Sequence, residues 1–121
     1  MGGLSREKIL AALHAPPGPP LEVTAKFLRM HVADNEPDDI RRQIRHAAAP
    51  PALLLRRRLV ALEALLAHPP PAETLITLVE DQGGKILHEP RAAEAMSYLK
   101  WLRELIREAL MERGIDPDSI D

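Results

Sequence analysis

An all-α fold, a compact bundle of five or six short helices, is what this 121-residue sequence predicts, and three observations predict it. Apolar residues recur three and four apart in segment after segment, which is the spacing of one helix face. Prolines at "APPGPP", "NEP", "APP" and "HPPP" cut the chain into pieces of helical length, because proline lacks an N–H and drives the residue before it out of the helical region. Aromatic side chains make up only 2% of the chain, so Leu, Ile, Val, Ala and Met must fill the interior, the residues that pack well between helices.

Each element follows in order. Ser5 to about His14 predicts a first helix, with Ser5 as N-cap and Ile9, Leu10 and Leu13 on one face. A second, Leu21 to about Ala33, turns Val23, Phe27 and Met30 inward. In the third, to about Ala48, Asn35 or Glu36 caps, Pro37 suits the first turn, and Asp38 and Asp39 suit the positive end of the helix dipole. Ile40, Ile44 and Ala47 then face the core, with Arg41, Arg42, Arg45 and His46 outside. The fourth helix, about Pro51 to Ala67, carries Leu55, Leu59, Leu62 and Leu66, flanked by Leu54, Val60 and Leu65, a wide apolar face that suits a central helix. A fifth, Ala72 to Gln82, buries Leu75, Ile76, Leu78 and Val79, and Gly83 is expected to end it in the left-handed conformation. The last runs from near Pro90 to about Arg113, with Gly114 as its stop. Its inward face is Met96, Leu99, Leu102, Ile106 and Ala109, while Tyr98, Trp101 and Leu105 lie on the adjoining face. One domain, residues 1–121, is expected, with 1–4 and the acidic 114–121 frayed.

Composition narrows the function classes. A formal net charge of −2 provides no global field to gather nucleic acid or an anionic membrane. Without cysteine, thiolate catalysis, disulfides and Cys-based zinc sites are excluded. "MGGLSREKIL" carries charge where a signal peptide needs an unbroken apolar run, and no stretch approaches about eighteen apolar residues. The expectation is a soluble, cytoplasmic protein without cofactor or metal.

Candidate chemical motifs resolve mostly into architecture. The double glycine of "LVEDQGGKILHEP" follows a helix, whereas a phosphate-cradling loop precedes one. Ile86 and Leu87 are then expected against the core, with Lys85, His88 and Glu89 on the rim of the loop. The five histidines show neither HxxxH nor HExxH spacing. "DNEPDD" opens like a calcium loop, yet Asp39 stands where glycine is needed and Arg45 where the bidentate glutamate belongs. Ser5, Ser97 and Ser119 sit in no nucleophile motif, and Glu80 with Asp81, or Glu104 with Glu108, belong on solvated faces. Catalysis is not expected. Arg41, Arg42 and Arg45 with Arg56, Arg57 and Arg58 form a basic patch without interleaved aromatics, unlike an RNA reader; local pairs with Asp38, Asp39 and Glu63 are the simpler expectation.

Leu59 to Leu110, "LVALEALLAHPPPAETLITLVEDQGGKILHEPRAAEAMSYLKWLRELIREAL", resembles the C-terminal half of bacterial contact-dependent growth inhibition immunity proteins. The shared order is a long helix ending in a leucine pair, a short break, a helix ending near glycine, a proline-containing loop and a final "YxxWL" helix, here Tyr98, Trp101 and Leu102. The resemblance implies a non-catalytic protein that binds a cognate toxin domain, such as a basic nuclease, and occludes its active site. Exposure and charge single out Asp34, Glu36, Asp38 and Asp39 as contact acids, with Tyr98 and Trp101 as aromatic anchors. The alternative is a helical structural or regulatory adaptor acting through oligomerisation or its Arg-rich face.

Overall fold

The structure is a computed structural model that describes residues 19–118; the expected Ser5–His14 helix lies outside the described residues. Five α-helices and no strand occur among them: α1 Pro20–His31, α2 Pro37–Ala47, α3 Leu53–Ala67, α4 Ala72–Thr77 and α5 Arg91–Glu112. A π-helical turn, Leu78–Gln82, extends α4. No helix among the described residues is long and apolar enough to cross a membrane.

Proline starts these helices in place of hydrogen-bonding caps. Pro20 and Pro37 occupy the first turns of α1 and α2, Pro71 and Pro90 immediately precede α4 and α5, and none of the five described helices has a side-chain N-cap hydrogen bond. A first-turn proline sacrifices only an N–H that has no partner inside the helix. The peptide bonds before Pro51 and Pro90 are cis. α3 begins two residues later than expected because Ala52 is left-handed, at φ 52°.

α3 and α5 share the centre. α1 and α5 pack on α3, while α2 and α4 pack on α5. Leu28, Ile44, Leu55, Leu62, Leu99, Leu102 and Ile106 are essentially removed from water in one connected cluster. Each such aliphatic side chain contributes about 1.5–3 kcal/mol on burial.

Several expectations are corrected at this level. Met30, Leu54 and Val60 are about half exposed, whereas Thr24, Leu28 and Arg58 are buried. Arg58 is 6% exposed, with its guanidinium 5.4 Å from the Phe27 ring centroid and Nη2 3.9 Å from Met30 Sδ. The tail to residue 118 makes specific contacts with α5. Gly114, at φ 74°, closes α5 with Gly114 N–H donating to Met111 O and Ile115 N–H to Leu110 O, a Schellman arrangement that seats Ile115 against the core. Arg107 then donates twice to Asp118, at 2.8 Å each, and once to Glu63 at 3.1 Å. Those bonds hold the Asp118 carboxyl below the usual carboxylate range.

Candidate protein-binding face

The acidic turn is built by the way α1 ends. Val32 and Ala33 N–H both donate to Leu28 O, Asn35 N–H donates to Val32 O, and Asp34 takes the left-handed conformation at φ 63°. Asn35 Nδ2 donates to His31 O at 3.1 Å, so Asn35 closes the end of α1 and does not cap α2. His31 Nδ1 lies 2.8 Å from Gln43 Oε1, linking α1 to α2 across the turn. Asp34, Glu36 and Asp38 are exposed and Asp39 is half-buried, 3.1 Å from Arg42. Asp38 and Asp39 occupy the first turn of α2, where the dipole favours their charge.

The double-glycine loop meets this turn. α4 loses its α-helical register at Thr77, and the π turn carries the chain to Gly83, whose N–H donates to Val79 O. Gly83 is not the left-handed residue expected; its φ is −93°, and Gly84 turns the chain at φ 63°. A methyl group on Gly83 would lie 2.7 Å from Val79 O, too close for any side chain without movement. One on Gly84 would lie 3.6 Å from Ala33 Cα and 3.7 Å from Asp34 N, so the loop runs directly against the acidic turn. Beyond it Leu87 is buried as expected, but Ile86 is 78% exposed because the extended chain alternates its side chains.

Lys85 carries the contact onward. Its Nζ sits 5.3 Å from the Tyr98 ring centroid, within cation–π range, and Tyr98 and Trp101 stack with centroids 5.5 Å apart. Both rings are half-buried, packed against the core on one side and open on the other, and burial pushes the Tyr98 hydroxyl's pKa up. The loop is clamped at its far end, where His88 N–H donates to the Glu94 carboxylate at 2.5 Å and Arg91 pairs with Glu80.

The loop thus meets the backbone at Asp34 through Gly84 and the Tyr98–Trp101 pair through Lys85, whereas Glu36 and Asp38 make no hydrogen bond or ion pair with it and Asp39 pairs with Arg42. The residue that reaches the rings is Lys85, which the sequence placed only on a loop rim. By contrast three members of the basic patch are engaged elsewhere. Arg58 turns inward, Arg42 faces Asp39, Arg45 lies 3.6 Å from Glu112, and Glu63 pairs with Arg107 instead of the patch. Among the described residues no group of three or more His, Cys, Asp or Glu side chains is placed to hold a metal ion. Chemically, the face offers charge, hydrogen-bonding acids and two flat apolar rings. No family model, curated protein or solved structure matches this chain.

Proposed function

We propose that the chain is a binding protein that neutralises a bacterial toxin domain in the cytoplasm by covering its active site or substrate groove. The resemblance of Leu59–Leu110 to contact-dependent growth inhibition immunity proteins motivates this reading. The observation that carries it is the approach of the Gly84–Lys85 loop to both the Asp34 turn and the Tyr98–Trp101 pair. Anchors fixed on α5 lose little freedom on docking, so less of the contact energy is spent on ordering them. Asp34, Glu36 and Asp38 speed encounter with a basic domain such as a nuclease and disfavour acidic partners.

The reading requires a toxin gene directly upstream, and co-expression with the toxin domain found there tests the proposal. Protection of the host is expected, together with a complex that Trp101→Ala weakens about 30-fold or more, the scale of an interface hot spot. Asp34→Lys with Asp38→Lys should slow association and flatten its salt dependence while leaving the helical content intact. Unchanged survival on deletion of the gene, with loss of an assembly instead, would favour an adaptor.

A further inference from the structure

A second surface lies apart from the Tyr98–Trp101 face. An open groove of about 480 Å³ runs between α1 and the α4–π segment. Buried Leu78 and half-buried Leu21 and Ala25 form its floor, and exposed Glu22, Glu73 and Thr77 stand along its edges. The π turn makes one end: it carries Leu78 and Gln82, and Arg29 Nη1 donates to Gln82 Oε1 at 2.6 Å, bridging from α1. Such a widened turn within a helix often marks a functional position.

The groove is electrically lopsided. Glu22 lies in the first turn of α1 and Glu73 in the first turn of α4, so both carboxylates mark the end opposite the Arg29–Gln82 bridge. Among the described residues neither has an ion-pair partner, and no Lys or Arg lines the groove. A helix terminus supplies about half a positive charge, less than the full negative charge of the glutamate beside it. An apolar floor with carboxylates at one end that pair with no described cation suits an occupant of opposite character.

We propose that this groove docks a basic amphipathic segment of a partner protein, seating an apolar side chain over Leu78 with a Lys or Arg beside Glu22 and Glu73. The proposal stands apart from the toxin reading: it names the chemistry the groove takes, whichever protein presents it.

The test uses the 121-residue chain and two synthetic amphipathic peptides, one alternating Leu with Lys and the other identical except for Glu at every Lys. Fluorescence anisotropy gives the affinities, and backbone amide NMR gives the location. The Lys peptide is expected to bind at least ten-fold more tightly than the Glu peptide, shifting the amides of Leu21, Ala25, Thr77 and Leu78. Glu22→Lys with Glu73→Lys should reverse that preference, and Thr77→Trp should block both peptides by filling the groove, each variant first shown to be folded by circular dichroism. Equal affinity for the two peptides, no binding, or shifts centred on Asp34 to Asp39 would overturn the proposal. So would concentration-dependent self-association reported by the same groove amides, which would identify a second copy of the chain as the occupant.

Discussion

α5 and the segment from Leu78 to Pro90 lie against the same core but are specified in different ways. Along α5, Ala95, Leu99, Leu102, Leu105, Ile106, Ala109 and Leu110 are buried at helical spacing, and the apolar stripe by itself accounts for the element. Across Leu78 to Pro90, burial is intermittent, and position is set by single contacts: Gly83 on Val79 O, Gly84 on Ala33, Glu94 on His88 N–H and Arg91 on Glu80. Periodic burial spreads specification over many residues, whereas the loop concentrates it in a few. The first tolerates repacking and the second does not tolerate an added atom in the wrong place.

The comparison breaks most sharply if cavity formation in α5 proves cheap. Leu99→Ala removes a side chain that is fully buried, and a loss of about 2–5 kcal/mol in urea unfolding is expected, against less than about 0.5 kcal/mol for Ile86→Ala in the loop. Gly83→Ala comes next. Its methyl group must displace a backbone carbonyl, so a loss of about 1–3 kcal/mol is expected, with the NMR changes concentrated between Leu78 and Lys85. Arg58 is the exception inside the regular scaffold, a buried cation beside Phe27 and Met30 with no carboxylate partner among the described residues. Arg58→Met should therefore leave the melting temperature unchanged or raise it. The smallest effect belongs to the tail. Because the folded-state pKa of Asp118 is depressed, its contribution is complete above the ordinary Asp value of roughly 4 and disappears as pH falls through the lower folded value. Asp118→Asn should remove that acid-side dependence, which paired acid titrations of the two proteins would reveal.

What was legible in the sequence follows the same division. The fold class, the order of the helices among the described residues and most of the buried stripe of α5 are local signals of 3.6-residue periodicity and proline punctuation, although Leu105, expected on the adjoining face, is buried and Met96 is only partly so. Met30 and Val60 were misplaced since a periodic pattern fixes a stripe's existence but not its centre, and the neighbour that decides it is distant in sequence. Arg58 was hidden because its chemistry argues for solvent, while its aliphatic stem and planar head fit the face of Phe27. The two glycines were recognised as a helix end, but which of them is left-handed depends on the π turn, and no simple spacing announces one. Among the candidate residues, the acids and aromatics were visible as types. The contact of Lys85 with Tyr98, the approach of Gly84 to the Asp34 turn, and the groove flanked by Glu22 and Glu73 arise only when α1, α4 and α5 are brought side by side.

The chain contains a single tryptophan, and it sits half-buried against Tyr98 on the proposed contact face. Its ultraviolet emission is therefore a native optical reporter for that patch alone. A ligand that covers the indole should blue-shift or quench the signal, while one lodged between α1 and α4 should leave it dark to the event, so one cuvette titration without any label can tell the two surfaces apart.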